Sequence, residues 1–407
     1  MKIAILGFGT VGSGVYDIIA NGDTRMRVTA IFIRPTHPAT MPEMTTDLDA
    51  ILNDPTIDVI VETMGGLHPA HDYILQALQH GKHVVTANKA VVAKYLPEFT
   101  AVAAQHHVQF YFEATTGGGI PWIRNLERAA RIDQIDTIEG IFNGTSNYIL
   151  DQMQRAHLDF DPVLLAAKDM GYAEADPSAD IDGEDVVNKL KISAALAYNM
   201  APPRDVPTFG IRNVSKADID FFASQHQVLR LIGKSKRDGD HYSMVVEPRL
   251  YSETALAANT FENFNLIRLH GQTIGDLQFY GQGAGKYPTA NAIVQDLYDI
   301  FENAPHLDRS FDQPLHFDAN LNVTDYVLRA DPMTFAMFND RETEIVNDRE
   351  TEIVNDRLVI KQIPTGDMHK LMRGVLAIDA DAFMAAIGDS ELAAKDVLHQ
   401  QDQEVIG

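Results

Sequence analysis

The chain opens on Ile3-Ala4-Ile5-Leu6, an apolar run of buried-strand length. It ends in Gly7-Phe8-Gly9-Thr10-Val11-Gly12 and passes into a stretch whose apolar positions Val15, Ile18 and Ile19 share one helical face. A second strand is predicted from Val28 to Ile33. Strand Val59-Ile60-Val61, a helix from about Pro69 to His80, strand Val84-Val85-Thr86 and a helix from about Val91 then follow in turn. This alternation predicts βαβ units of a parallel sheet. Val108 to Glu113 reads as one more strand, ahead of the glycine run Gly117-Gly118-Gly119-Ile120-Pro121. Farther on, Ile135 to Phe142 and Ser243 to Leu250 read as strands of a second sheet with helices around it, and Val186 to Tyr198 as a helix. Gly285 to Phe301, rich in Ala and Val, reads as a helix returning to the first domain.

The expected class is therefore α/β: an N-terminal Rossmann-type parallel sheet, an α+β middle domain and a small C-terminal region. The boundaries read from the pattern are 1–127, completed by about 286–305, then 128–285, then 306–407. In the glycine turn, Gly7 allows the tight bend, Gly9 lets the backbone approach a pyrophosphate, and Gly12 lets helix and strand pack closely. A GxGxxG on its own is weak, but here it has strand before it and helix after it, which points to a dinucleotide. The end of the second strand carries Arg34 instead of an acid. A guanidinium can pair with a 2′-phosphate and stack on adenine, which favours NADP and leaves NAD possible. Lys89 sits in the turn Thr86-Ala87-Asn88-Lys89-Ala90, after the C-terminal end of a strand, where open α/β sheets bind ligands, which makes it a site candidate; a lone lysine is more often a solvated surface charge. The glycine run can turn carbonyls inward, either as a tight packing corner or as an oxygen cage for a hard cation, and the residues alone prefer the corner.

Composition narrows the class further. With 407 residues and 45% hydrophobic content, the chain has material for two or three domains. Lys+Arg of 33 against Asp+Glu of 57 gives a net charge of −24, which repels nucleic acid and anionic membrane surfaces. Zero cysteine removes disulfides, thiolate metal sites and cysteine catalysis, and fits a reducing compartment. No spanning segment and no signal sequence is read, so a cytoplasmic protein acting on a small molecule is expected.

The run Gly171-Tyr172-Ala173-Glu174-Ala175-Asp176-Pro177, closing with Asp180, Asp185 and Lys189, concentrates acids beside a helix that carries a lysine. Acids can grip an ammonium group. Asp185 and Lys189, four apart in a helix, share one face, where the acid can aim the lysine. Taken alone, such a run is more often a solvated acidic loop followed by an ordinary surface ion pair. It is not alone. The glycine turn, Ala87-Asn88-Lys89-Ala90, Glu113-Ala114 with the glycine run, Phe142-Asn143-Gly144-Thr145-Ser146-Asn147-Tyr148, the acidic run and Gly281-Gln282-Gly283-Ala284-Gly285 together closely resemble homoserine dehydrogenase, in order and spacing, over about residues 1 to 300.

That resemblance implies NAD(P)-dependent interconversion of L-aspartate 4-semialdehyde and L-homoserine, on the route to threonine and methionine. It implies Lys189 as proton donor, Lys89 as a second lysine near the substrate oxygen, and Asp185 binding substrate and positioning Lys189. Glu174 is implied to hold the substrate ammonium, with Asp180, Thr145 and Gly144 as further substrate contacts. Cofactor contacts are implied at Gly7, Phe8, Gly9, Thr10, Val11, Gly12, Lys89, Gly171, Gly283, Ala284 and Gly285. The glycine run is implied to bind a monovalent cation, commonly sodium, through main-chain carbonyls that by position are those of Glu113, Thr116, Gly118 and Ile120. A homodimer through the middle sheet is implied as well.

Aspartate-semialdehyde dehydrogenase, which handles the same aldehyde, needs a cysteine nucleophile that this chain lacks. A silent NADP sensor has no reason to combine Lys89, Lys189, Glu174 and Asp185. Beyond about residue 305 the resemblance thins, although Asp325-Tyr326-Val327-Leu328-Arg329-Ala330 resembles the opening strand of a regulatory domain. Asn339 to Val346 recurs word for word at Asn347 to Val354, and a third copy begins at Asn355, so 339–357 reads as a charged insertion in a hairpin or helix. The histidines, His68-Pro69-Ala70-His71 among them, follow no zinc-protease pattern and read as surface or packing groups.

Overall fold

The structure, a computed structural model, describes residues 1–22, 25–304, 309–334, 351–354 and 357–388. Two compact units emerge. One comprises the described residues of Met1–Ile135, Asn188–Pro203 and Leu269–Pro314, the other those of Asp136–Val187, Arg204–Arg268 and the described residues from Leu315 onward.

The first unit is built on a six-stranded sheet of β1 (Lys2–Leu6), β2 (Arg27–Phe32), β3 (Met44–Thr45), β4 (Val59–Glu62), β5 (His83–Thr86) and β6 (Phe110–Tyr111). Their order is β3-β2-β1-β4-β5-β6, every neighbouring pair parallel. Strands covered on both faces need no polar alternation, which is why β1 and β4 read as nearly unbroken apolar runs. Ile5 stands beside Ile31 on one side and Val61 on the other. One core gathers Ile3, Ile5, Ile31 and Val61 with Val15 and Ile19 of the helix Thr10–Ala20 and Ile293 and Leu297 of the helix Lys286–Phe301. The late helix thus belongs to the N-terminal sheet, as its apolar composition led one to expect. The strand expected over 108–113 is shorter: it ends at Tyr111, and Glu113–Thr115 turns as a 3-10 helix. The turn frees the Glu113 carboxylate to accept the N–H groups of Ile123 and Arg124, both at 2.8 Å, at the start of the helix Trp122–Ala129.

The second unit is built on a mixed sheet. Its strands are β7 (Ile135–Ile141), β8 (Gln227–Asp238), β9 (His241–Ser252), β10 (Phe264–Gly271), β12 (His316–Phe317), β13 (Val323–Arg329), β14 (Thr351–Val354), β15 (Arg357–Pro364) and β16 (Phe383–Ile387). They run in the order β10-β7-β8-β9-β16-β13-β15-β14, with β12 beside β9. β10 leaves this unit at Leu269, and β11 (Gly275–Gln282) lies in the first. β8 and β9 form a long antiparallel hairpin, in register from Gln227 opposite Ser252 to Asp238 opposite His241. The C-terminal strands extend the same sheet: β16 runs parallel to β9 and antiparallel to β13. Tyr326, Leu328, Ile360 and Met384 form a core there with Met368, Met372 and Val375 of the helix Thr365–Leu376. The strand read at Asp325 to Ala330 is present as β13. Most of the duplicated insertion lies outside the described residues; the last four residues of its second copy form β14, paired with β15.

Candidate active site

In the first unit the three glycines of the N-terminal turn divide the work that their spacing implied. Gly7 adopts φ +96°, a left-handed region costly for other residues. A Cβ on Gly12 would lie 2.2 Å from the Gly7 carbonyl oxygen, whereas one on Gly9 would meet nothing within 4 Å. The first makes the bend, the last permits contact, and the middle one leaves space for a ligand. Beside them is a cavity of about 450 Å³ lined by Gly7, Phe8, Gly9, Arg34, His37, Thr63 and Tyr73 among others. It opens at the ends of β1 and β4, where the strand order reverses, the point at which doubly wound sheets bind nucleotides. Arg34 is exposed on this wall, free of burial cost and able to meet an anionic group.

Lys89 begins the helix Lys89–Gln105 and is half-buried. A polar chain fixes this corner. Thr86 Oγ1 donates to the buried Glu62 carboxylate at 2.6 Å and accepts the Asn88 N–H at 3.0 Å, while Asn88 Nδ2 donates to the Gly66 carbonyl at 2.7 Å. Burial raises the Glu62 carboxyl above its ordinary range, against the lowering pull of the Thr86 hydroxyl and of the Met64 and Gly65 N–H groups that it accepts. Lys189 lies on the helix Glu184–Tyr198 and is 7% exposed. Its carbonyl accepts the Ser193 hydroxyl at 2.8 Å, and Ser193 in turn accepts the Trp122 indole N–H at 2.8 Å.

The glycine run meets the Gly283-Ala284 turn closely: a Cβ on Gly118, at φ +58°, would lie 2.5 Å from the Gly283 carbonyl carbon, and Gly119 N–H donates to the Gln282 carbonyl at 3.1 Å. Two segments expected to bear ligands therefore share one corner. Buried within it, the Thr116 hydroxyl has no hydrogen-bond partner among the described residues. Below it the Glu113 N–H donates to the Asp296 carboxylate at 2.9 Å. Burial pushes the Glu113 carboxyl up to about 7, against the opposing N–H groups of Arg124 and Ile123, and raises Asp296 as well.

In the second unit Asn143 is the organising side chain. It caps the helix Gly144–Arg155, its Oδ1 accepting the Ser146 N–H at 2.7 Å, and its Nδ2 donates to Asp180 Oδ1 at 2.7 Å and Asp185 Oδ2 at 2.9 Å. Asp185 is 3% exposed, so the ion pair of a solvated surface is not what this helix carries. Thr145 Oγ1 donates to the Tyr172 carbonyl at 2.7 Å and ties the helix start to the acidic run; Gly171, at φ +75°, turns the chain into that run. Glu174 is exposed, its carboxylate open to a cationic group. In the sequence Asn143 stands inside the Phe142–Tyr148 motif with no role assigned to it. An asparagine between a predicted strand and a helix is an N-cap signal that could have found it. Thr63 and Tyr73, on the cavity wall, had no such signal.

Comparison with known proteins gives one answer throughout. Family profiles described as homoserine dehydrogenase and as homoserine dehydrogenase, NAD binding domain, match residues 121–298 and 7–113. The homoserine dehydrogenase of Synechocystis sp. is 43% identical over 316 residues, 74% of this chain and 73% of that protein. That of Bacillus subtilis is 35% identical over 317 residues, with 74% and 73% covered. Among solved structures, a homoserine dehydrogenase from Thiobacillus denitrificans superposes with a TM-score of 0.83 at 31% identity, covering 96% of this chain and 98% of that one. A hyperthermophilic archaeal homoserine dehydrogenase in complex with NADPH gives 0.66 at 25% identity, covering 75% and 99%. The chain belongs to the homoserine dehydrogenase family and is an oxidoreductase that interconverts L-aspartate 4-semialdehyde and L-homoserine with a nicotinamide cofactor.

Proposed function

We propose that Lys189 is the proton donor of this reduction, with Asp185 holding it and the substrate in place, and that NADPH is the preferred reductant. The observation that supports this most is the burial of Asp185 and Lys189 one turn apart on a single helix. Burying an acid and a lysine is costly, and a chain that keeps both in such a place has a use for the charge. A bound nicotinamide would supply the hydride to the aldehyde carbon. The remaining needs are an oriented carbonyl and a proton for its oxygen. Lys189 delivers that proton and becomes a neutral amine, and Lys89 adds a second positive charge where alkoxide character develops. Glu174 accepts the substrate ammonium, while Asn143 keeps Asp180 and Asp185 aimed, with Thr145 and Gly144 at the substrate side.

For the cofactor, Gly7, Phe8, Gly9, Thr10, Val11 and Gly12 receive the pyrophosphate, and Lys89, Gly171, Gly283, Ala284 and Gly285 complete its contacts. Arg34, exposed on the cavity wall with no acid in its place, supports selection of a 2′-phosphate. The main-chain carbonyls of Glu113, Thr116, Gly118 and Ile120 hold a monovalent cation, sodium first; the unpartnered Thr116 hydroxyl supports an oxygen-rich corner that suits a hard ion. Residues 1–127 with about 286–305 serve the cofactor and 128–285 the substrate and a homodimer through the middle sheet, in the cytoplasm. The region 306–407, whose described strands extend the sheet of the second unit, is a degenerate regulatory domain carrying the 339–357 insertion.

NADPH oxidation followed at 340 nm with L-aspartate 4-semialdehyde tests the assignment. Lys189→Ala is expected to lower kcat by about 10²- to 10⁴-fold, the usual worth of general acid catalysis, with the KM for NADPH little changed. Arg34→Ala is expected to raise KM for NADPH but not for NADH. Retained turnover in the first variant, or an equal effect on both cofactors in the second, would remove that role.

A further inference from the structure

We propose that His68, His71 and Asp72, at the entrance to the helix Ala70–Gln79, form a binding site for a divalent transition metal such as zinc. One ligand atom from each lies within 4.8 Å of the other two. Asp72 stands between the imidazoles: Oδ1 is 2.9 Å from His71 Nδ1 and Oδ2 is 3.7 Å from His68 Nδ1. Tetrahedral zinc, with bonds of about 2.0–2.1 Å to nitrogen and oxygen, sets neighbouring ligand atoms roughly 3.3 Å apart, a spacing that rotation of the exposed His68 and Asp72 side chains reaches from ligand atoms within 4.8 Å of one another.

The second feature is the outer partner of His71. Its Nε2 lies 3.0 Å from Glu98 Oε2, on the neighbouring helix Lys89–Gln105. A carboxylate behind a histidine is how ligating imidazoles are commonly oriented: one nitrogen donates to the carboxylate, which leaves the other as a lone-pair donor to the metal. The ring is also held in place. It is 14% exposed and packs 4.1 Å from the Tyr95 ring and 5.6 Å from that of Phe99. His68 and Asp72 are more than half exposed, so an ion reaches the site from solvent and water can complete its coordination.

The donor set decides the class of ion. Two imidazoles and one carboxylate suit zinc, cobalt or nickel, whereas magnesium and calcium prefer all-oxygen sites and cuprous ion prefers sulfur. His68 also lines the cavity beside the glycine turn. A bound metal would pin that ring at the cavity rim, so occupancy is expected to register in cofactor binding; this consequence alone rests on the reading of that cavity.

Isothermal titration of zinc chloride into the metal-stripped full-length protein tests the site, with magnesium chloride as control and cobalt absorption as a second readout. One zinc per chain is expected, at least ten-fold weaker in both His68→Ala and His71→Ala, with tetrahedral cobalt bands that vanish in both. His68 is exposed, so its variant folds even if the half-buried His71 variant does not. Zinc binding unchanged in His68→Ala would overturn the site. A separate arm compares KM for NADPH with and without zinc: a change in the parent that is absent in His68→Ala supports the link to the cavity, and no change in the parent overturns that link while the titration still judges the site.

Discussion

A methyl group at Gly12 would lie 2.2 Å from the Gly7 carbonyl oxygen and 2.8 Å from Thr63 Oγ1, contacts that real Cβ atoms do not make. Neither neighbour can yield cheaply, because Gly7 is itself fixed by its positive φ and its N–H bond to the Phe32 carbonyl. Gly12→Ala is therefore expected to cost about 1–3 kcal/mol of stability, as overpacking does, and to raise KM for NADPH by displacing the turn. Urea unfolding and initial rates check both effects, and a variant as stable as the parent with unchanged KM would contradict the contact. Gly9→Ala is the informative contrast, since its Cβ would meet no protein atom: only the cofactor, not the fold, should notice it.

At the scale of elements, the C-terminal strands and helix are locked to the middle sheet through one buried carboxylate. Glu247 on β9 accepts the Tyr326 hydroxyl of β13 at 2.9 Å and lies 2.9 Å from His369 Nε2 of the helix Thr365–Leu376 and 3.3 Å from Arg249 Nη2. Burial alone would raise this carboxyl, but the His369 hydrogen bond and charge, with Arg249 and Tyr326, outweigh it and hold Glu247 below its ordinary value. A depressed acid stabilises the fold above its unfolded pKa, about 4.3, and that share is lost as pH falls through the folded value. Glu247→Gln should remove this part of the acid-side slope of stability. His369→Ala, which strips a partner from a buried charge, should cost about 3 kcal/mol at neutral pH. Denaturation series from pH 7 down to about 3, below the unfolded value, decide: parallel losses in parent and Glu247→Gln would show that Glu247 contributes no such slope.

For the whole molecule, a ligand that binds only the native chain stabilises it by mass action. NADPH at 100 times its Kd should add about 2.7 kcal/mol to the unfolding that exposes Trp122, the single tryptophan, buried in the first unit. Tryptophan fluorescence during thermal unfolding reads this directly, and an unshifted transition would sink dinucleotide binding at the glycine turn. Much of this organisation was legible in the chain. The period of its apolar residues separates parallel strands from helices, and glycine spacing implies a nucleotide turn, because both depend on residues near in sequence. The strand read to Glu113 stopped short for a longer-range reason: its carboxylate serves a helix ten residues on. Asn143 reaches acids 37 and 42 residues away, and Glu247 reaches His369 across 122. So the sequence by itself determined the strands, the turn chemistry and which residue types could serve the reaction. Only the tertiary structure decided which acids are buried, which side chain holds them and which histidines meet a carboxylate, because burial and long-range hydrogen bonds exist only once distant segments have packed.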